Sequence, residues 1–107
     1  MSKEWDWWVK GFILITLEQG LKDLETRPNR GEAALVRVGD VIRFNGTVRR
    51  RVKAIRRYQS FKVMLAIEKS ERFYPGVTGD VVLGAIRGMY RTNPEQGVLC
   101  FELEHIN

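Results

Sequence analysis

The sequence predicts an α+β fold in which about five strands form a sheet that curls into a small barrel, together with two or three helices. Three observations predict this class. Strand-like segments do not alternate regularly with helical ones, which argues against a parallel α/β sheet. The dipeptide Asn45-Gly46 separates two alternating segments and is the strongest short-range signal for a β-hairpin. The returning strand, residues 47–58, is long enough to bend around a barrel.

The first part of the chain contains predicted strands around one short helix. Residues 5–9 are aromatic and β-branched and are predicted as a strand. Residues 12–19 are ambiguous, because their β-branched content favours a strand while their apolar spacing favours a short helix, which we predict. Residues 22–27 are predicted as the next strand. Residues 33–38 extend toward a third strand, which ends at a Gly-Asp turn.

The hairpin contains the most basic part of the chain. Residues 41–44 alternate as its first strand, and residues 47–58 return as its second. On the returning strand, Val52, Ala54 and Tyr58 are predicted to share one face. The opposite face is predicted to carry basic side chains, namely Arg49, Arg51, Lys53 and Arg57.

The last part of the chain contains two predicted helices and a final strand. Ser60 is a suitable N-cap for a helix over residues 61–68, and a second helix is predicted over residues 80–90. Residues 98–106 alternate as the final strand. The predicted faces of this strand are Leu99, Phe101 and Leu103 on one side and Cys100, Glu102 and Glu104 on the other.

Length and composition exclude several classes of protein. With 107 residues, the chain is long enough for one domain over residues 1–107 and too short for two. No apolar run approaches the roughly 20 residues of a membrane-spanning helix. The N-terminus lacks a signal-peptide pattern, and the single cysteine, Cys100, allows no intrachain disulfide. A cytoplasmic protein without membrane contact is therefore expected.

The sequence predicts neither a metal site nor a cofactor. His105 is the only histidine, and the acidic residues near it do not complete a usual set of metal ligands. The sequence also lacks a glycine-rich phosphate loop, a Ser-His-Asp order and a Cys-x-x-Cys motif. We therefore expect no metal and no cofactor.

Positive charge is concentrated in one segment. The net charge is +5, but residues 49–72 alone carry nine basic and two acidic residues, a net of +7. Such a patch attracts polyanions, above all nucleic acid, whereas the alternative is a solubilising stripe on an edge strand. The tight clustering favours nucleic acid. The candidate phosphate-binding residues are Arg49, Arg51, Lys53, Arg56 and Arg57.

Residues 20–27, GLKDLETR, place opposed charges close together. At strand spacing, Glu25 and Arg27 point to the same side, and Lys22 reaches them from the preceding turn. This arrangement predicts a polar cleft that holds a partner, and the alternative is an internal salt bridge that braces the mouth of the barrel. For Lys22, a paired lysine that contacts a ligand is favoured over a desolvated catalytic base.

Three tryptophans lie at the start of the chain, and they have two interpretations. Trp5, Trp7 and Trp8 could stack on unpaired bases, although aromatic residues at a chain start more often belong to the core. Because Trp7 and Trp8 are adjacent, they face opposite sides of a strand, and at least one of them is expected to be partly exposed.

The order and spacing of these motifs resemble the ASCH family of the PUA-like superfamily. The motifs are Gly20-x-Lys22-x-x-Glu25-x-Arg27, then Val38-Gly39-Asp40-x-Ile42-x-Phe44, then a basic strand that ends in Tyr58-Gln59-Ser60-Phe61. The resemblance covers about residues 9–104. It implies a small PUA-like β-barrel of about five to six strands with two or three short helices, and it favours the helix over residues 12–19.

The resemblance also implies a function, because the family is widely regarded as RNA-binding. Carried over to this chain, it implies a ligand cleft lined by Lys22, Glu25 and Arg27, with Ser60 near its rim. RNA or a nucleotide-like molecule is then the expected partner, and the basic strand would provide the electrostatic approach.

Two alternatives remain open. Some members of the family are amidohydrolases that remove the acyl group from an acetylated cytidine, which implies a catalytic Lys22 and a catalytic acid at Glu68 or, second, Glu71. Their catalytic threonine, however, corresponds to Glu25 in this sequence, and the adjacent Thr26 is predicted to face the other way. The other alternative is a protein-interaction module whose basic strand binds an acidic partner.

Overall fold

The structure, a computed structural model, describes residues 2–90 and 94–106. Within these ranges, five strands and three α-helices form the fold. Their bounds are β1 Glu4–Trp7, α1 Gly11–Glu18, β2 Leu24–Pro28, β3 Val41–Phe44, β4 Val48–Tyr58, α2 Phe61–Ile67, α3 Gly79–Met89 and β5 Val98–His105. Two short 3₁₀-helices lie at Gly31–Leu35 and Ser70–Arg72.

The five strands form one sheet in the order β1-β3-β4-β5-β2. β1 and β3 are parallel, and the other neighbouring strands are antiparallel. The sheet curls into a half-barrel whose two edge strands, β1 and β2, are connected by α1. The predicted α+β class, with a curled PUA-like sheet and three helices, is confirmed.

Local sequence signals account for the turns and caps. Asn45 and Gly46 have φ angles of 52° and 73°, the left-handed conformation that a tight hairpin requires. The Ser60 hydroxyl accepts a hydrogen bond from the Val63 amide (3.1 Å), which satisfies a free donor at the start of α2. The predicted hairpin, the cap and the helix over residues 12–19 are therefore confirmed.

The predicted strand over residues 33–38 is wrong. The chain instead forms the 3₁₀-helix Gly31–Leu35. Ala33 and Val36 are both buried, and a spacing of three residues brings side chains to the same side of a 3₁₀ turn. The helix thus buries these two apolar residues in the core, whereas an extended strand would place them on opposite faces.

A β-bulge in β4 overturns the predicted faces of the basic strand. The pairing with β5 shifts between Val52 and Ala54, so that Lys53 is the extra residue. Beyond the bulge, Arg57 lies opposite Leu99, whereas Arg56 lies opposite Cys100 on the other face. Arg49, Arg51, Lys53 and Arg57 therefore do not form one row, and Val52 does not share a face with Ala54 and Tyr58.

Apolar side chains pack on both faces of the sheet. One cluster includes Trp7, Ile13, Leu17, Ile42, Phe44, Val52, Phe101 and Leu103. The other includes Leu24, Phe61, Met64, Phe73, Val82, Ile86, Val98 and Cys100 and packs α2 and α3 against the sheet. β5 contributes to both clusters with alternate residues, as its pattern predicted. Glu25 lies opposite Phe101 and so faces the first cluster.

Candidate functional site

A cleft of about 130 Å³ opens beside the start of β2. At about 30 Å³ for each water molecule, this volume would hold roughly four of them, which is more than a single ion needs. Four parts of the chain form the cleft: the segment before α1, the start of β2, the residues after the second 3₁₀-helix and the end of α3. Its lining includes Trp8, Lys10, Lys22, Glu25, Thr26, Arg27, Phe73, Tyr74, Met89 and Tyr90.

A second, more open compartment of about 350 Å³ adjoins the cleft. It lies between the two edge strands of the half-barrel and is lined by Asp6 and Trp7 from β1 and by Pro28 from β2. The two compartments share Trp8, Arg27 and Tyr90. The two compartments therefore lie along the gap between the edge strands β1 and β2.

Lys22 is buried at the floor of the cleft. Its side chain is 2% exposed, and its Nζ donates to the main-chain oxygens of Leu24 and Phe73 and lies 3.4 Å from Glu25 Oε1. Burial lowers the pKa of Lys22, and the Glu25 carboxylate opposes that shift. Because three acceptors surround Nζ, all three N–H bonds of an ammonium are used. This arrangement suits a structural cation rather than a free base.

Glu25 forms the centre of the charged cluster. Its Oε1 accepts from the Thr26 amide (3.2 Å), and its Oε2 accepts from Arg27 Nη2 (3.1 Å). Burial alone would raise the pKa of Glu25, but the adjacent Lys22 and Arg27 outweigh burial, and the pKa lies below its ordinary value. Glu25 is therefore a buried carboxylate that is held ionised by two cations.

The lowered pKa of Glu25 makes stability depend on pH. Because the unfolded chain binds this proton at a higher pH than the folded chain, stability from Glu25 is present above pH 4.5 and is lost as pH falls below that value. We expect Glu25→Gln to be less stable than the wild type at pH 7, and the gap to narrow toward pH 3. Urea unfolding at both pH values measures the gap, and a constant gap would contradict the assignment.

Arg27 connects the two edges of the sheet. Its guanidinium lies 4.7 Å from the centre of the Trp7 ring, and Nη2 donates to the Trp8 carbonyl oxygen at 3.2 Å. The Arg27 side chain is 25% exposed, compared with 10% for Glu25. The structure thus brings Lys22, Glu25 and Arg27 together as one mutually paired cluster beside a cleft, and Arg27 is the member that a ligand reaches most easily.

Aromatic rings form the walls of the cleft. Trp8 is 76% exposed, whereas Trp7 is buried against Phe44 and Phe101. Tyr74 and Tyr90 are half-buried and face the same cleft. Burial raises the pKa of Tyr74 to about 12, so its hydroxyl stays protonated and available as a donor. The adjacent positions of Trp7 and Trp8 predicted that at least one of them is exposed, and the exposed one is Trp8.

Sequence reasoning missed Tyr74 and Tyr90 as parts of the site. Tyr90 lies at the end of the helix predicted over residues 80–90, and neither Tyr74 nor Tyr90 carries a local sequence signal that identifies a cleft. The Tyr90 ring stacks on Phe61 with ring centres 5.4 Å apart, which fixes its orientation. Only the packing of α3 against α2 brings this ring to the start of β2.

Ser60 and Glu68 lie outside the lining of the cleft. The Ser60 hydroxyl caps α2, as described above. Glu68 accepts hydrogen bonds from Arg56 (Nη2, 3.0 Å) and from the Tyr58 hydroxyl. Burial would raise the pKa of Glu68, but these bonds outweigh it and lower the pKa. The structure therefore does not bring Glu68 to Lys22.

Acidic partners neutralise part of the basic strand. Arg49 pairs with Glu4 at 2.8 Å, Lys53 lies 3.7 Å from Glu102, and Arg56 binds both Glu68 and Glu102. Arg57 donates to the main-chain oxygen of Gln96 at 2.9 Å. Arg51 is exposed. Arg51 and Arg57 are therefore the predicted phosphate-binding residues whose charge is least compensated by carboxylates in the described part of the chain.

Three findings concern features other than the cleft. Within residues 2–90 and 94–106, no group of three His, Cys, Asp or Glu side chains is placed to hold a metal ion. No helix in these ranges is long and apolar enough to cross a membrane. Burial, and to a smaller extent the nearby Glu68 carboxylate, raises the pKa of the Cys100 thiol to about 12. The thiol therefore stays protonated, and Cys100 is a packing residue.

Comparisons with known proteins identify structural relatives. The crystal structure of hypothetical protein PH0355 has a TM-score of 0.88 and 30% sequence identity, over 96% of this chain and 99% of that chain. The solution structure of protein PF0455 from Pyrococcus furiosus has a TM-score of 0.79 and 33% identity, over 94% of this chain and 96% of that chain. No protein-family model and no curated protein matches the chain.

A third solved structure resembles the chain in fold. The S128A mutant of ZmASCH from Zymomonas mobilis has a TM-score of 0.69 and is 13% identical, over 95% of this chain and 68% of that chain. At this identity the likeness concerns the fold alone, and that fold is the one that the sequence motifs predicted.

Proposed function

The chain belongs to the same family as PH0355 and PF0455 and has an ASCH-type fold, and from this premise we propose that its cleft binds an unpaired base of RNA or a nucleotide-like ligand. The observation that carries the proposal is the combination of aromatic walls with a charged floor. Trp8, Tyr74 and Tyr90 offer ring faces, and stacking of a base on such rings contributes about 1–3 kcal/mol.

Electrostatics support the same ligand class. The partly exposed Arg27 lies in both compartments, where its guanidinium could contact a phosphate or the edge of a base. Arg51 and Arg57 on β4 would attract the phosphate backbone without reading sequence. Because such contacts release counterions, affinity should fall as salt concentration rises.

Several contacts weigh against amide hydrolysis, the alternative function. Thr26, the hydroxyl nearest to Glu25 in sequence, donates to the Leu99 main-chain oxygen at 2.8 Å. The Lys22 ammonium faces three acceptors, and because it is protonated it has no lone pair with which to act as a base or nucleophile. Glu68 accepts hydrogen bonds from Arg56 and Tyr58. These contacts favour binding over catalysis. Incubation with acetylcytidine tests the alternative. Release of acetate that Lys22→Ala abolishes, while the circular dichroism spectrum of the variant stays that of the wild type, would establish it.

Removal of the exposed ring tests the proposed function. We expect Trp8→Ala to weaken binding of a short single-stranded RNA by about 1–3 kcal/mol, or roughly 5- to 150-fold. Titration calorimetry with wild type and variant measures the loss. Phe12→Ala is the matched control, because Phe12 is 60% exposed but does not line the cleft. Equal affinity of Trp8→Ala and Phe12→Ala would overturn the stacking role.

A further inference from the structure

We propose that a main-chain carbonyl on the free edge of β2 selects the ligand. In this inference, which rests on the proposed function, the Thr26 carbonyl oxygen accepts a hydrogen bond from an exocyclic amine of the bound base. The cleft would then prefer adenine, cytosine or guanine to uracil. The argument depends on where the backbone groups of β2 point and on which of them already have partners.

Within the part of the chain that the structure describes, β2 has a neighbouring strand on only one side. It pairs with β5, and its other side is an edge of the sheet. Asp23 O accepts from the Leu103 amide (2.8 Å) and the Asn29 amide donates to Gly97 O (3.0 Å), both across to the β5 side. In an antiparallel pair, alternate residues direct their backbone groups inward. Residues 24, 26 and 28 therefore direct theirs to the free edge.

The chain itself covers most of these edge groups. Lys22 Nζ donates to Leu24 O, and the Thr26 amide donates to Glu25 Oε1. Pro28 has no amide hydrogen, and its oxygen accepts from the Arg30 amide at 2.8 Å. The buried ion pair thus has a structural role, because each of its members satisfies one backbone group at the edge of the sheet.

The Thr26 carbonyl is the group that this arrangement leaves open. No group of the described residues donates to it. Thr26 lines the cleft, while its hydroxyl is bound to Leu99 on the neighbouring strand, so its backbone edge is the part that faces the ligand. Thr26 is only 8% exposed. A donor on the ligand can therefore satisfy this acceptor in place of water.

The same pattern disfavours a peptide strand as the ligand. Strand addition needs an alternating series of free donors and acceptors along the edge. The Leu24 carbonyl and the Thr26 amide are occupied, and Pro28 lacks a donor. A single open acceptor fits one N–H of a planar ring.

Glu25 provides the discrimination against uracil. Its carboxylate, adjacent to Thr26, already has three partners in Lys22, the Thr26 amide and Arg27, and it keeps its negative charge. An exocyclic amine is attracted to the Thr26 carbonyl oxygen and to the adjacent Glu25 carboxylate. The N–H of uracil is flanked by two carbonyl oxygens, and those oxygens would meet the carboxylate with like partial charge.

Ligand variants test this inference on the full chain. We expect adenosine and cytidine monophosphates to bind about tenfold more tightly than uridine monophosphate. Replacing the amine N–H bonds, as in N6,N6-dimethyladenosine monophosphate, should cause a similar loss, whereas the N6-monomethyl form keeps one N–H and should keep most of the affinity. In Glu25→Gln, the preference over uridine should shrink.

The outcomes separate the two proposals. Equal binding of all these nucleotides would overturn the inference and leave the proposed function intact. Equal losses for the monomethyl and dimethyl forms would also overturn it, because a steric clash would then explain the effect. Binding of none of these nucleotides, nor of single-stranded RNA, would overturn the proposed function and the inference with it.

Discussion

Replacing Lys22 with methionine is expected to lower the free energy of unfolding by about 3–5 kcal/mol. Methionine has a similar length but no charge, so it leaves Glu25 without one of its two cations. It also leaves the carbonyl oxygens of Leu24 and Phe73 without a donor inside the protein. Breaking a buried pair from one side is costly because the remaining charge stays buried.

Urea unfolding at neutral pH measures this loss, and Lys10→Met is the matched control. Lys10 also lines the cleft, but it is exposed, so its replacement should change stability by less than about 0.5 kcal/mol. The double variant Lys22→Met with Glu25→Gln should lose less than the two single variants added together, because they share one interaction. If Lys22→Met is as stable as Lys10→Met, the buried pair does not support the fold.

The dual role of the Lys22–Glu25 pair explains why the sequence left its interpretation open. Opposed charges at strand spacing are compatible with a ligand site and with an internal brace. The structure combines the two: the pair covers backbone groups of β2 and also forms the floor of a cleft. Burial and backbone partners depend on tertiary packing, which spacing alone does not reveal.

Local patterns predicted most elements of the fold. The Asn45-Gly46 turn, the Ser60 cap and the alternation of β5 each depend on a few neighbouring residues, so the sequence carries the information directly. The bulge at Lys53 was not predictable in this way. One unpaired residue moves every later side chain of β4 to the opposite face of the sheet. The position of this residue is set by pairing with β5, which lies more than 40 residues away in the sequence.

The candidate site was predictable only where its residues are neighbours in the sequence. Lys22, Glu25 and Arg27 are close in sequence, and their proximity in space follows from strand geometry. Tyr74 and Tyr90 reach the cleft only because distant segments pack together. The family resemblance implies Glu68 as an acid that acts with Lys22, but the structure places Glu68 beside Arg56 and Tyr58 on β4.

Gly97→Ala is expected to lower the free energy of unfolding by about 2–5 kcal/mol, because backbone strain and a steric overlap act together. Gly97 precedes β5 with a φ angle of +81°, a conformation that alanine rarely adopts. A methyl group there would also lie 2.5 Å from the main-chain oxygen of Tyr58. That oxygen belongs to β4 and has little freedom to move.

Gly76→Ala separates the two contributions. Gly76 has a nearly identical φ angle of +78°, but among the described residues no atom beyond Gly76 and its two chain neighbours lies within 4 Å of the position of an added methyl group. Its replacement should cost about 1–2 kcal/mol from backbone strain alone. Urea unfolding of both variants therefore measures the overlap as a difference, and equal losses would show that β4 moves aside at Tyr58. The Gly97 carbonyl oxygen accepts a hydrogen bond from the amide of Asn29, which directly follows β2. A movement of the backbone at Gly97 and Tyr58 would therefore also displace Arg27. Weaker RNA binding by Gly97→Ala would reveal this displacement.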